Sequence, residues 1–314
     1  MTAPVVRLTV CAMTSVISSG SATDIGDGRI QQDKFTISGN RIVLCDGHQF
    51  HGHDYAQIVC DFMMAHPVRS QDPEQLEQMF SLTREHLKDT MGDNAGGTTC
   101  THVTVDSDKT MTVANIGDSS VRYWDGDTPE GTTATTDHSP TNLDEFMRIW
   151  KAGGRCVFDD SNGRFRKGQQ PIFRTFGDVF TFNAGGGNYY KNCRQEWATY
   201  FTTPQVPGFS SYRLAVTRSF GDLDLVPYGL ITTPSVNVVA APAPAVVRAV
   251  VIATDGLWDV MTDTDIGTIV RRPAFLESRN AQAAADILLE SALVSGRKLF
   301  GQNQDNTTVV VLYL

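Results

Sequence analysis

Val250-Val-Ile-Ala-Thr-Asp-Gly-Leu-Trp-Asp259 is an apolar run that ends abruptly on a carboxylate, and it has two counterparts in the chain. Arg41-Ile-Val-Leu-Cys45 runs into Asp46, and Asp305 stands just before the β-branched run Thr307-Thr-Val-Val-Val-Leu-Tyr313. Short apolar runs of this composition read as buried strands. Each aspartate is therefore expected at the end of a strand, where backbone hydrogen bonding holds a side chain still. If the three strands are neighbours, the carboxylates form one cluster. Oxygen ligands of this type suit hard divalent cations such as Mg²⁺ and Mn²⁺, with water filling the remaining positions.

The rest of the chain alternates blocks of strand and helix. Residues 4–16 and 34–45 read as strands, and the helical periods at 53–64 and 73–87, the second with Pro73 at a helix start, follow them. Residues 98–105, 111–116 and 120–124, joined by short polar turns, read as an antiparallel meander. A short amphipathic helix over 141–152 stops at Gly153-Gly154. From about 157 to 212 the sequence is rich in Gly, Asn, Phe, Tyr and Arg with no sustained period, which predicts a long surface excursion, either a substrate-facing flap or a plain insertion. Its Ala184-Gly-Gly-Gly187 lacks the strand-to-helix setting of a nucleotide loop. Ala241-Pro-Ala-Pro-Ala245 reads as a surface turn, helices are expected near 262–271 and 279–293, and the last strand closes the chain. Without βα alternation, this order predicts an α+β sandwich.

Composition narrows the function. With 314 residues, 41% hydrophobic and 19% charged, the chain has the balance of an ordinary soluble protein. A formal charge of −9 argues against a nucleic-acid partner. Met1 to Ala12 lacks the apolar core of a signal peptide, and no segment reaches the roughly 20 apolar residues of a membrane span. Six scattered cysteines (11, 45, 60, 100, 156 and 193) read as reduced core residues of a cytosolic or nuclear protein. No coiled-coil heptads are evident, so a monomer is expected.

Seven blocks stand in a fixed order: Asp46-Gly-His48, Gly96-Gly-Thr-Thr99, Ala114-Asn-Ile-Gly-Asp-Ser119, Asp137-His-Ser-Pro140, Leu214-Ala-Val-Thr-Arg-Ser-Phe-Gly-Asp222, Ala253-Thr-Asp-Gly-Leu-Trp-Asp259 and Asp305-Asn-Thr-Thr-Val309. Together they resemble the metal-dependent serine/threonine protein phosphatases of type 2C, the PPM family. The resemblance implies a single phosphatase domain over 1–314, with the flap or insertion at about 157–212 inside it. Its fold would be a four-layer αββα sandwich of two antiparallel sheets with a helix pair on each outer side. It further implies a binuclear Mn²⁺ or Mg²⁺ centre that hydrolyses phosphoserine and phosphothreonine in phosphoprotein substrates. By the same resemblance Asp46 bridges the two ions, the Gly47 carbonyl completes one of them, and Asp255 and Asp305 ligate the other. Asp33 orients water, Asn306 lies behind the ligands, and Asp118 and Asp259, with Asp255, form a third and weaker site found in some members. His48, beside the bridge, is the candidate general acid, with a structural role bonding a ligand carboxylate as the alternative.

The chain also departs from the family pattern. Gln32 stands where many members have Glu, and the phosphate-holding basic residue has only Arg29 as a candidate, displaced by one position. Gln49-Phe50-His51 lengthens the loop after the Asp-Gly-His block; His51 and His53 are read as solvent-facing loop residues rather than extra ligands. His102 and His138 are read as strand and turn residues. Two other functions fit the same frame: an inactive relative that binds a partner, disfavoured by retention of Asp46, Asp255 and Asp305, and a hydrolase of a small phosphorylated metabolite.

Overall fold

The computed structural model describes residues 17–66, 72–126, 128–159, 169–177, 179–204 and 211–314. The strand expected at 4–16 lies outside them. Two five-stranded antiparallel sheets form the centre. One runs in the order Ser18–Asp24, Thr307–Tyr313, Arg248–Ala253, Ser120–Asp125 and Thr132–Thr133. The other runs Ser235–Val239, Met111–Ile116, Cys100–Val105, Arg41–Cys45 and Lys34–Ser38.

Strand periodicity assigns the faces. Val250, Ile252, Val310 and Leu312 of the first sheet meet Ile42, Leu44, Val103 and Val113 of the second in a common apolar layer. Their alternate neighbours point the opposite way. Ala249, Val251, Val309 and Val311 pack under the long helix Ala281–Phe300 and the shorter helices Asp255–Trp258 and Asp263–Val270. Val43, Cys45, Ala114 and Ile116 pack under the helices Gly52–Ala65 and Pro73–Met91. Helices thus cover both outer faces of the paired sheets. The second of them starts as its sequence predicts, with Pro73 at the first turn and the Asp72 side chain accepting from the Glu74 and Gln75 N–H groups.

Two expectations need correction. Residues 98–124 do not form one meander: Cys100–Val105 and Met111–Ile116 pair with each other, but Ser120–Asp125 crosses to the other sheet and pairs with Arg248–Ala253. The connection Gly117-Asp118-Ser119 makes the crossing. Gly117 adopts φ 93° there, and Thr101 Oγ1 donates to the Ser119 carbonyl at 2.8 Å. Local alternation cannot distinguish a hairpin from such a change of sheet.

Nor is 157–212 without regular structure. Arg155–Phe158, Thr199–Thr202 and Arg213–Leu214 form a small antiparallel sheet, and Phe173–Phe176 pairs with Val179–Phe182. With the helix Leu143–Lys151 they enclose their own core of Phe146, Ile149, Phe158, Ile172, Phe201 and Leu225. Strands of two to four residues are too short for alternation to register. Cys45, Cys60, Cys100 and Cys156 are buried free thiols, and Cys193 is half-buried and also free.

Candidate active site

Sheet register brings the aspartates to one end of the sandwich. Ala253 pairs with Val309, so the end of one strand and the start of its antiparallel neighbour put Asp255 and Asp305 side by side. Lys34 pairs with Cys45, which does the same for Asp33 and Asp46 in the other sheet. Asp118 lies on the crossing between sheets, two residues before Ser120, which pairs with Ala253. Thr99 fixes Asp46: its N–H donates to the Asp46 carbonyl at 2.9 Å, and its Oγ1 accepts from the Asp46 N–H at 3.1 Å.

Glycine is needed where Gly47 and Gly52 cross. A Cβ on Gly47 would lie 2.3 Å from the Gly52 carbonyl oxygen and 2.8 Å from that of Gln32. At the same place two of the three departures from the family pattern meet, because Gln32 Nε2 donates at 2.6 Å to the carbonyl of Gln49, itself at φ 64°. Gln32 therefore ties down the lengthened loop. Asn306 fastens the other side, accepting from the Gln32 N–H at 2.8 Å and donating to the Ile25 carbonyl at 2.8 Å.

The carboxylates repel one another strongly. Burial, then the charges of Asp33, Asp255, Asp305 and Asp118, raise the Asp46 carboxyl well above its ordinary range. Asp255 is raised likewise by burial and by Asp305, Asp118 and Asp259. Asp33, only 4% exposed, is lifted by burial to about 7 despite hydrogen bonds from Thr308 and Thr254, the latter 2.9 Å from Oδ2. The Oδ1 atoms of Asp33 and Asp255 are buried without a hydrogen-bond partner. Buried oxygens are rarely left so, and orphaned carboxylate oxygens facing other carboxylates fit a bound cation. Among the described residues, no three acidic, histidine or cysteine side chains already grip a single point. A cavity of about 560 Å³ opens beside the cluster, walled by Asp255, Asp259 and Asp305 of the sandwich and by Tyr189, Lys191 and Tyr200 of the 157–212 segment.

A family model described as Protein phosphatase 2C matches residues 63–298. The chain belongs to that family. The rice "Probable protein phosphatase 2C 14" is 37% identical over 110 residues, covering 35% of this chain and 20% of the relative. The rice "Protein phosphatase 2C 50" is 28% identical over 222 residues, 65% of this chain and 43% of the relative. The chain thus spans less than half the length of either relative. Among solved structures, the serine-threonine phosphatase 2C from Toxoplasma gondii superposes with TM-score 0.71 at 19% identity, covering 99% of both chains. The catalytic domain of serine threonine protein phosphatase PstP, in complex with two manganese ions, gives 0.53 at 18% identity over 94% of this chain and 97% of its own. These likenesses show the phosphatase 2C fold, with antiparallel sheets and helices as expected.

Within that fold, His48 Nε2 lies 2.7 Å from Asp222 Oδ2, and the His48 side chain is 22% exposed. Burial works against a charged imidazole, but the Asp222 carboxylate outweighs it and raises the His48 pKa. Ser219 and Tyr212 donate to Asp222 at 2.5 and 2.7 Å, and together with His48 they hold its carboxyl below the ordinary range although burial pushes it up. Asp222 closes one of the seven blocks, yet nothing in the sequence attaches it to His48, 174 residues away. Arg29 is exposed and makes no hydrogen bond or ion pair among the described residues. His51 and His53 are 43% exposed and pair with Asp54. His138 is buried in its turn, accepting from the Gly117 N–H and bonding Ser235, and burial takes its pKa down to about 3. His102 is likewise buried in its strand and lowered to about 3. A cation that sequence reasoning missed is Lys191, carried in by the flap with Nζ 4.0 Å from Asp118 Oδ2.

Proposed function

We propose that this protein hydrolyses phosphoserine and phosphothreonine in phosphoproteins with the help of two divalent ions, Mn²⁺ or Mg²⁺. The observation that carries the reading is the pair of orphaned oxygens, Asp33 Oδ1 and Asp255 Oδ1, buried in a group of mutually repelling carboxylates that a bound cation would relieve. Asp46 and the Gly47 carbonyl would hold one ion, and Asp46, Asp255 and Asp305 the other. When bound, such ions supply positive charge to phosphoryl oxygens and make water a better nucleophile near neutral pH.

The chain's own groups do the rest. Asp33 is fixed by the Thr254 hydroxyl, so it is placed to orient the attacking water and to receive its proton. His48, its pKa raised by the Asp222 carboxylate, is placed to donate a proton to the departing serine or threonine oxygen, a general-acid role worth about 10²-fold or more. The site requires neither a cysteine nor a serine nucleophile. The cavity between flap and sandwich has room for a phosphorylated side chain, with the Tyr189 and Tyr200 residues of the flap on its outer wall.

The test is turnover of p-nitrophenyl phosphate and of a phosphothreonine peptide with Mn²⁺, with Mg²⁺ and with chelator. Metal-dependent hydrolysis of both is expected, nearly abolished in Asp46→Asn and Asp255→Asn. Inert protein that binds no Mn²⁺ by calorimetry would mark a binding module instead, and hydrolysis of the small ester alone would mark a metabolite enzyme.

A further inference from the structure

Among the described residues of the flap, the turn around Lys191 fastens it to the acidic cluster. Asn192 Oδ1 accepts the N–H groups of Arg194 and Glu196 at 3.1 Å each, and the Lys191 N–H donates to the Glu196 carbonyl at 2.7 Å. Gln195 takes φ 61° to close the turn, and Tyr190 and Trp197 stack across its base with ring centroids 4.1 Å apart. Three further bonds lock it onto the Asp-Gly-Leu-Trp-Asp block. The Cys193 N–H donates to the Asp259 carbonyl at 2.8 Å, Asn192 Nδ2 donates to Asp259 Oδ1 at 3.2 Å, and Arg194 donates to the Trp258 carbonyl.

The turn therefore presents Lys191 by construction, not by the swing of a loose side chain. Its ammonium lies 4.0 Å from Asp118 Oδ2, and its side chain is 28% exposed. Although burial works against its charge, Asp259, Asp118, Asp255 and Glu196 more than compensate and keep it protonated. The Asp259 carboxylate is also taken, lying against Asn192 Nδ2 and 3.7 Å from Arg194 Nη2. An ammonium offers a compact point charge and three donors, a fair substitute for a hydrated ion among carboxylates.

Resting on the two-ion reading above, we propose that the flap carries its own cation into the space between Asp118, Asp255 and Asp259, so that Lys191 occupies the position of a third divalent ion. The centre then binds two metal ions, and its flap is held in place by an ion pair that metal would otherwise screen. Removing the ammonium leaves these carboxylates without their counter-charge, and they recruit an ion from solution.

The test is Mn²⁺ stoichiometry, measured by calorimetry and by loss of the free-Mn²⁺ electron paramagnetic resonance signal, on the full chain. Wild type and Lys191→Arg should each bind two ions, and Lys191→Gln should bind one more. Adding Asp118→Asn to Lys191→Gln should return the count to two, which locates the extra ion. Lys191→Met serves as a second charge-free variant if Lys191→Gln does not fold, as judged by near-ultraviolet circular dichroism. Wild type binding three ions, or charge-free variants binding the same two as wild type, overturns the proposal while leaving the two-ion centre intact. Wild type binding none overturns the two-ion centre and the proposal with it.

Discussion

Replacing Asp33 with Asn should remove much of the pH sensitivity of the metal-free protein. Asp33 titrates near 7 in the folded chain against an ordinary 3.8, so the folded state carries a proton that the unfolded state has already lost. A raised carboxyl contributes stability that is present below about pH 4 and disappears as pH climbs through 7. Between pH 5 and 8 the linkage amounts to about 2.5 kcal/mol lost from this one group. Asn keeps the shape, its carbonyl retains the Thr254 hydroxyl bonded to Asp33 Oδ2 at 2.9 Å, and its amide faces the Asp46 carboxyl with a donor. Urea unfolding in excess chelator at pH 5 and pH 8 measures the effect. With a denaturant slope of about 3 kcal/mol/M, the wild-type midpoint should fall by nearly 1 M more than that of Asp33→Asn. Added Mn²⁺ should reverse the order at pH 8, stabilising wild type more than the variant. Equal pH losses in the two proteins would refute the claim that Asp33 is buried protonated within the cluster.

Asp222→Asn should cut kcat by about 10-fold or more and move the alkaline limb of the pH–rate profile to lower pH, since the charge that raises the His48 pKa is gone. An unshifted limb would remove His48 from the general-acid role. Away from the site, Glu145 is 2% exposed and receives Arg218 at 2.6 Å, Arg148 at 2.8 Å and the Thr217 hydroxyl at 2.5 Å, which together take its carboxyl down to about 2 against the opposing effect of burial. Glu145→Ala should destabilise the protein by about 3–5 kcal/mol by stranding two guanidinium groups, a loss read from urea unfolding at pH 7. In wild type this contribution is present above about pH 4.5 and disappears as pH falls through about 2.

The sequence by itself carried the sheets, the helices and the ordered aspartates, because each of these leaves a local mark. Strand runs such as Val250–Ala253 are continuous and β-branched, helices such as Pro73–Met91 announce their starts, and Asp46, Asp255 and Asp305 adjoin the runs that fix them. What only the tertiary structure decided has no local mark. The passage of the chain from one sheet to the other at Gly117-Asp118-Ser119 looks in sequence like any turn, yet it sets Asp118 at the cleft. The flap strands are too short for their alternation to show, and their order depends on a small core drawn from residues 146 to 230. His48 meets Asp222, Gln32 meets Gln49, and Lys191 meets Asp118 across 174, 17 and 73 residues respectively. Charge and hydrogen bonding act through space, so the partners that tune each aspartate and histidine became visible only once the chain had brought them together.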